Sequence, residues 1–353
     1  MKEDSTGGRF VGLDISDKQG TYVVLAEDGR IVEEGKVAMT PAGLERCFGD
    51  HEPCRVALET GTHSPWASRA LTAMGHEVIV ANARQVPLIF RSNRKNDRLD
   101  ALSLAKLARL DPELLHPITH RSTQAQQDLA VLRSRDALVT SRAALINHVR
   151  GVVKSIGERL PSCSVEAFVL KAASKIPDGL RPALAPVVEM IGELNKRITG
   201  YDREIESLAS ERHPDAAGPR QVNGVGPITS LAYVLTLEDP RRFRRSRDVG
   251  PYLGLTPRRD QSGSSDPQLH ITKAGDAFLR RLLTECAHYI LGPFGKDCDL
   301  RRWGLKLAGT SSKKARKRAI TAVARKLAVL LHRLWITGEV YEPLRVSQAR
   351  ETA

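Results

Sequence analysis

The sequence predicts a mixed α/β domain at the N-terminal end of the chain and helical structure beyond it. Short β-rich runs alternate with helical patterns over residues 10–110. Beyond residue 129, apolar residues recur at spacings of three, four and seven, which is typical of long helices. From residue 221 onward, helical patterns alternate with basic loops. We therefore expect domains over residues 9–118, 119–213 and 220–345.

The first domain is expected to begin with strands joined by tight turns. The Asp28-Gly29 pair predicts a hairpin turn between the second and third strands, and Thr40 followed by Pro41 is typical of a helix start. Strands ahead of the first helix fit a ribonuclease H-like layer better than a doubly wound nucleotide fold, which begins with a crossover helix. The predicted elements are strands over 10–15, 21–26 and 31–39, a helix over 41–48, a strand over 55–59, a helix over 65–74, a strand over 77–81, and a helix over 97–110 with apolar positions at Leu99, Leu102, Leu107 and Leu110.

The middle of the chain carries two apolar seams. Apolar residues recur every seven positions from 132 to 153, and they alternate by three and four from 191 to 208. Both patterns predict long helices with coiled-coil-like contacts. Such helices form either a dimerisation stalk or two members of an intramolecular bundle, and the sequence leaves both open. Residues 214–220 are expected to be a linker.

The chain of 353 residues is strongly basic. Lysine and arginine total 54 against 41 aspartates and glutamates, which gives a formal net charge of +13. This excess favours a polyanionic partner, either nucleic acid or an anionic membrane surface. No apolar run approaches the ~18 residues of a membrane span, and the N-terminus lacks the apolar core of a signal peptide. Five cysteines without CxxC spacing argue against a disulfide framework or zinc ribbon, so we expect a cytoplasmic protein with no membrane partner.

Four acidic residues are candidates for a metal site. Asp14 and Glu59 each stand at the end of a predicted strand, in VGLDIS and VALETG. Asp97 and Asp100 stand in KNDRLDA, where their spacing puts both on one face of a helix. If the two strands pack in parallel, the four carboxylates lie near one sheet edge, where their mutual repulsion calls for cations. Oxygen ligands suit Mg²⁺ or Mn²⁺, and two such ions can clamp the oxygens of a phosphodiester displacement.

Basic residues form several candidate contacts to a nucleic-acid backbone. The loop over 240–247 carries five arginines, and the helix predicted over 313–333 has eight lysines and arginines and no acid. Its cations lie largely opposite its apolar face, and a face of one sign favours phosphate contact. The candidate nucleic-acid-binding residues are Arg94, Lys95, Arg98, Gly224, Gly226, Arg241, Arg242, Arg244, Arg245, Arg258, Arg259, Lys273, Lys313, Lys314, Arg316, Lys317 and Arg318.

A glycine turn and a serine loop complete the candidates. Residues 221–237 resemble a helix-hairpin-helix, in which Gly224 and Gly226 permit a tight turn before a helix whose first N–H groups can hold a phosphate. Ser262 lies in a polar loop among cationic residues. A serine can attack phosphorus where a base or metal activates it and cations hold the phosphate.

Each candidate also has a purely structural interpretation that the sequence leaves open. Asp97 or Asp100 could cap a helix or stand in its first turn. The turn at Gly224 could simply precede a buried helix, and Ser262 could be an ordinary turn residue beside a glycine. The basic helix face could serve solubility alone.

On these residues, nearly the whole chain resembles the DEDD-type transposases of bacterial insertion sequences, the group founded on insertion sequence one hundred and ten, to which Piv-type DNA invertases are related. The markers are VGLDIS, ALETG and KNDRLDA, followed by VNGVGPITS, GLTPRRDQSG and ITKAGDAFLRRLL. The resemblance implies a RuvC-like, ribonuclease H-type domain and a C-terminal transposase domain with a family serine. The tetrad falls on Asp14, Glu59, Asp97 and Asp100, and the serine falls on Ser262, with Ser264 and Ser265 as neighbouring alternatives.

The resemblance also implies chemistry and partners. In the studied branch of this group the serine is a covalent nucleophile, a structured noncoding RNA bridges donor and target DNA, and composite sites join two protomers within a dimer or tetramer. We therefore expect a bacterial, nucleoid-associated transposase or site-specific recombinase that uses Mg²⁺ or Mn²⁺ and a phosphoserine intermediate. Its expected partners are double-stranded DNA at the element ends and target, a guide RNA, and further copies of the chain.

Other functions remain open at this stage. A DNA invertase or a Holliday-junction-resolvase-like nuclease would use the same fold, the nuclease attacking with water in place of serine. A sugar-kinase or actin-like ATPase also begins with a strand that ends in aspartate, but it needs a glycine-rich phosphate hairpin where this sequence has only Gly20. A non-catalytic nucleic-acid-binding scaffold would use the basic faces without the acids.

Overall fold

The computed structural model of the protein describes residues 8–82, 96–267, 269–309 and 312–345. The chain divides into two compact units, Met1–Arg121 and Ser122–Ala353. The first unit is mixed α/β and the second is helical. A further division of the second unit into a helical region and a transposase domain stays a prediction.

A five-stranded sheet forms the centre of the first unit. Its strands are β1 (Phe10–Ile15), β2 (Gln19–Leu25), β3 (Ile31–Ala38), β4 (Arg55–Glu59) and β5 (Glu77–Ala81), in the spatial order β3-β2-β1-β4-β5. The first three pair in antiparallel fashion, and β4 and β5 run parallel to β1. An antiparallel meander that continues into parallel strands matches the predicted order of elements and is compatible with a ribonuclease H-like domain.

Helices cover both faces of this sheet. Helix α1 (Pro41–Phe48) and helix α2 (Ser64–Ala73) pack on one face, where Leu44 and Leu71 join the core beneath β1 and β4. Helix α3 (Asp97–Leu110) packs on the other face, and a short helical turn at Pro112–Leu115 follows it. The unit therefore has three layers, with the sheet between two layers of helix.

Helix α3 lies with its backbone against the backbone of β1. The cause is Gly12, because a Cβ there would overlap the Ala101 carbonyl oxygen and lie 2.5 Å from the Ala105 nitrogen. So close an approach leaves room only for small side chains, and α3 buries its alanines against the strand. Of the apolar positions that the sequence shows in this helix, Leu107 is buried, whereas Leu99 is 39% exposed and Leu110 is 67% exposed.

The second unit begins with a pair of long antiparallel helices. Its longer helices are α4 (Thr123–Ser155), α5 (Arg181–Ser207), α6 (Pro227–Leu237), α7 (Ala277–Leu291), α8 (Asp299–Ala308) and α9 (Lys313–Thr337). Ile146 near the end of α4 shares a core with Ile191 near the start of α5, and Leu132 shares one with Ile205. The two apolar seams thus meet within one chain, as the intramolecular interpretation expects, and a dimerisation role for them stays a prediction.

Short helical turns connect the longer helices of this unit. They lie at Phe168–Lys171, Ala173–Lys175, Asp178–Leu180, Leu208–Arg212, Pro214–Ala216, Ala217–Arg220, Pro240–Arg242, Ser246–Asp248 and Val249–Tyr252. The linker predicted over 214–220 is therefore wrong: this stretch is helical, and Ala216 is only 1% exposed within the main core. Pro214 stands at the start of its helical turn, where a missing N–H costs little.

All five cysteines are free. The Cys54 thiol lies 3.3 Å from His76 Nδ1, and burial raises the pKa of that thiol to about 11, as for a packing residue rather than a reactive one. Among the described helices, none combines the length and the hydropathy needed to cross a bilayer.

We predict that Gly12→Ala destabilises the chain by about 1–3 kcal/mol, because α3 must move away from β1 to admit the methyl group. Urea unfolding followed by circular dichroism measures this change. The matched control is Gly61→Ala in the same unit, where a Cβ meets nothing within 4 Å. Equal unfolding midpoints for the two variants would contradict the close contact.

Candidate active site and nucleic-acid interface

Two of the predicted acids stand side by side at the carboxyl ends of β1 and β4. The register that pairs Gly12 with Ala57 puts Asp14 opposite Glu59, on neighbouring parallel strands about 4.8 Å apart. Side chains alternate along a strand, so Asp14 lies on the same face as Gly12, and Glu59 lies on the same face as Ala57. That face of the sheet packs against α3. Both are half-buried. The structure thus brings together the strand acids that the sequence singles out.

The other two acids lie at the start of α3, which runs antiparallel to β1. At the far end of the helix, the Arg109 guanidinium donates to the Glu27 carbonyl oxygen, 3.0 Å away, in the turn that follows β2. The middle of the helix packs on Gly12. The N-terminus of α3, with Asp97 and Asp100, therefore faces the carboxyl ends of β1 and β4.

Neither of these acids is the cap of the helix. Asn96 takes that role, because its side-chain oxygen accepts from the Arg98 backbone N–H at 2.9 Å. Asp97 is exposed, whereas Asp100, three residues further along the helix, is only 6% exposed. With the cap supplied by Asn96, the N-cap interpretation of the pair is excluded, and both carboxylates stand in the first turn, where the helix dipole favours negative charge.

The side chains of the tetrad do not surround a single point. Within the described ranges, no group of three or more histidines, cysteines, aspartates and glutamates is arranged to hold a metal ion. The backbone brings two strand ends and one helix start to the same edge of the sheet. The donors there are all carboxylate oxygens, which suit a hard divalent cation. The donor set fits such an ion, although the side chains do not form a closed site.

The structure adds a small cluster at this edge that sequence reasoning missed. His63 Nδ1 accepts from the Trp66 indole N–H at 2.9 Å, and its Nε2 lies 3.5 Å from a carboxylate oxygen of Asp17. His63 follows β4 and Asp17 follows β1, so the cluster borders Asp14 and Glu59. The sequence signal was TGTHSPW directly after Glu59.

Ser262 lies near the tip of an exposed, hairpin-like arm, here called the serine arm (residues 256–267 and 269–272), which two isolated β-bridges hold together. Thr272 N–H donates to the Thr256 carbonyl oxygen at 2.9 Å at the base of the arm. At the tip, Ser262 and Ser265 exchange backbone hydrogen bonds of 2.9 and 3.1 Å. Gly263 has a φ of +56° between them, as the first central residue of a tight hairpin turn requires. The Ser262 hydroxyl is thus carried outward on a hairpin and is exposed.

The base of the serine arm is held tightly. Gly254 and Gly275 both have positive φ, and a Cβ on either would overlap neighbouring backbone. The Arg280 guanidinium of α7 donates to the carbonyl oxygens of Leu253 at 3.0 Å and Ala274 at 2.7 Å. Arg280 thereby links the two sides of the arm through hydrogen bonds where they leave the core.

The candidate cations of the second unit are exposed where the structure describes them. In α9 the apolar side chains from Ile320 to Leu334 face the core, and Lys314, Arg318 and Lys326 face outward, as the sequence predicts. The exposed candidates are Arg241, Arg242, Arg244, Arg245, Arg258, Arg259, Lys273, Lys313, Lys314, Arg316, Lys317 and Arg318.

The remaining nucleic-acid-binding candidates are the cations of the first unit and the turn at Gly224 and Gly226. Arg98 is exposed, but its guanidinium pairs with Glu34 at 2.7 Å, so part of its charge is neutralised within the chain. Arg94 and Lys95 lie outside the described residues. Gly224 has a φ of +92° in a tight turn, and Gly226 precedes α6, so the turn exists and its contact with phosphate stays a prediction.

Two family models match the chain. A model of DEDD transposases of the IS110 type matches residues 11–158, which include all four acids. A second, described as transposase of the IS116/IS110/IS902 family, matches residues 220–294, which include the serine arm.

Curated relatives agree with these models over most of their length. The transposase for insertion sequence element IS1111A of Coxiella burnetii is 30% identical over 345 residues, covering 94% of this chain and 91% of the relative. A probable family 20 transposase of Pseudomonas aeruginosa is 28% identical, covering 84% of this chain and 88% of the relative. The transposase for IS1328 of Yersinia enterocolitica is 30% identical, covering 67% and 70%. The chain therefore belongs to the IS110 family of transposases.

Proposed function

We propose that this transposase excises and integrates its own insertion sequence, with Asp14, Glu59, Asp97 and Asp100 as metal-binding acids and Ser262 as nucleophile. The observation that carries the proposal is the register of β1 and β4, which puts Asp14 opposite Glu59 at the edge that the start of α3 faces. Membership of a DEDD family supports dependence on a divalent metal and binding of DNA.

The four acids would hold Mg²⁺ or Mn²⁺ beside the scissile phosphate. When bound, such an ion neutralises the carboxylates and stabilises the charge that develops on the phosphate oxygens. The half-buried setting of Asp14 and Glu59 limits the water around them, which strengthens their hold on a cation. His63, tied to Trp66, stiffens the loop that follows Glu59.

Ser262 would supply the attacking oxygen. Its Oγ forms a bond to phosphorus while the bond from phosphorus to the 3′ oxygen of the leaving strand breaks, and that oxygen takes up a proton. The 3′-hydroxyl of a second strand then attacks the phosphoserine and returns the serine hydroxyl. Arg258 and Arg259, exposed on the serine arm, would hold the phosphate, and Arg280 positions the arm by fixing its base.

Partners follow from the same proposal. The exposed cations of α9 and of the 240–247 loop would contact the backbone of double-stranded DNA at the element ends and target. A structured guide RNA would choose the target, and the acidic unit of one protomer would act with the serine arm of another in a dimer or tetramer. The domain over 119–213 would form the dimerisation region, and the domain over 220–345 would carry the transposase chemistry. The protein would work in the cytoplasm at the nucleoid.

We predict that Ser262→Ala abolishes a covalent protein–DNA adduct and lowers strand exchange by at least about 10³-fold, because the nucleophilic oxygen is lost. Denaturing electrophoresis of labelled element ends detects the adduct, and a filter assay measures DNA binding, which we expect to persist. Ser264→Ala and Ser265→Ala are the matched controls on the same turn. An adduct that survives in Ser262→Ala contradicts this assignment, and cleavage without any adduct in the natural chain favours the resolvase-like alternative.

We predict that Asp97→Asn lowers metal-dependent DNA cleavage by about 10²-fold or more, because one anionic ligand is lost while the helix start is kept by Asn96. Cleavage rates are measured against Mn²⁺ concentration. Asp111→Asn, at the other end of α3, is the control, since Asp111 caps the following turn through an acceptor oxygen that asparagine retains. Undiminished cleavage by Asp97→Asn would remove it from the metal site.

A further inference from the structure

The second unit contains a cleft of about 1060 Å³ that lies between α8, α9 and the segment after α9. Its volume is at the upper end of the ~300–1,000 Å³ typical of ligand pockets. Trp303 of α8 lines it and is half-buried, and the Lys326 ammonium lies 3.9 Å from the centre of the indole ring. Thr256, at the base of the serine arm, lines the same cleft.

The cations of this cleft differ in whether they are neutralised. Arg333 and Arg345 both pair with Glu339, at 2.7 and 3.1 Å, and Arg302 pairs with Asp297 at 2.7 Å. Among the described residues, no carboxylate forms an ion pair with the remaining lining cations, which are Arg247, Lys306, Arg325 and Lys326. These four side chains are available to an anionic ligand.

The charges are also separated along the cleft. Helices α8 and α9 are antiparallel, because a Cβ on Gly304 would lie 2.5 Å from Val323, while the Asp299 N–H donates to the Pro343 carbonyl oxygen beyond the end of α9 at 2.8 Å. Three of the four lining acids, at 299, 339 and 342, therefore lie toward one end, and the fourth, Asp248, accepts from the Arg245 backbone N–H at 3.1 Å. The other end holds Trp303 with the lysines at 306 and 326, an aromatic ring among cations.

We propose that the cationic end of this cleft binds one unpaired nucleotide of a nucleic-acid strand. The base would displace the Lys326 ammonium from the face of the Trp303 ring and stack there, and the flanking phosphates would pair with Lys306, Arg325 and Lys326. Aromatic rings beside cations bind single strands in this way, because every base has an aromatic face and every phosphodiester linkage carries a negative charge. A paired base within a duplex cannot reach a half-buried indole, so the site selects unpaired nucleotides.

This inference deepens the proposed function and rests on it for the expectation that the ligand is nucleic acid. The Thr256 carbonyl oxygen, on the cleft wall, accepts from Thr272 in the first rung of the serine arm. A strand anchored at Trp303 would therefore pass beside the base of the arm that carries Ser262. The cleft would hold a strand opened from its duplex, or an unpaired position of the guide, close to the chemistry.

The test uses the full-length chain with Trp66→Phe and Trp335→Phe, which leaves Trp303 as the remaining tryptophan. Its emission is followed during titration with a short single-stranded DNA, an RNA of the same sequence, an abasic version of the DNA, and a duplex, at one salt concentration. We expect quenching by the single strands and none by the abasic strand or duplex. Quenching by only the DNA or only the RNA identifies which strand the cleft takes.

Binding by variants in the natural background gives a second measurement. Fluorescence anisotropy of the labelled single strand should show about tenfold weaker binding for Lys306→Gln and Lys326→Gln combined, the change that loss of one strong contact produces. Lys171→Gln and Lys175→Gln combined, at two exposed lysines outside the cleft, are the charge-matched control and should bind like the natural chain.

Two results would overturn the inference: Trp303 emission that stays unchanged while the single strand binds, or equal quenching by the abasic strand. Strand exchange by the natural chain separates this inference from the proposed function. If the natural chain exchanges strands but the single strands do not quench Trp303 emission, only the inference about the cleft is overturned. Quenching without exchange leaves the cleft as a nucleotide site and overturns the proposed reaction.

Discussion

The first unit depends on the contact between the backbones of α3 and β1 at Gly12. This contact sets how near the helix lies to the sheet, since any Cβ there would overlap the helix backbone. It also fixes where along the strand the helix sits, and therefore where Asp97 and Asp100 lie relative to Asp14 and Glu59. A residue without chemistry of its own thus controls the placement of the acids that we propose as metal ligands.

The serine arm also depends on glycines at close backbone contacts. Gly254 and Gly275 allow two backbone segments to meet at its base, and Arg280 fastens them through carbonyl oxygens. Tight packing at the base and an exposed hairpin at the tip suit a nucleophile that must reach a large polymer, because the hydroxyl is accessible while its support is rigid. In both units, glycines at close backbone contacts position the candidate reactive groups.

The sequence predicted the order of strands and helices in the first unit well, because alternating apolar runs and strong turn signals are local features. The pairing of Asp14 with Glu59 was also predictable, since parallel strands bring their carboxyl ends together. The buried face of α3 was predictable only in part, because the approach at Gly12 is tertiary and puts Ala101 and Ala105 against the strand. The packing of 214–220 and the meeting of Trp303 with Lys326 depend likewise on elements that are brought together only in the folded chain.

The account rests on a cation site at the edge where β1 and β4 end. The most direct measurement is anomalous diffraction from crystals of the protein grown with Mn²⁺ and element-end DNA. We predict anomalous peaks for manganese ions bound by oxygens of Asp14 and Glu59, with acids at the start of α3 completing the coordination. Ordered carboxylates with no manganese between them, or manganese bound only elsewhere, would contradict it.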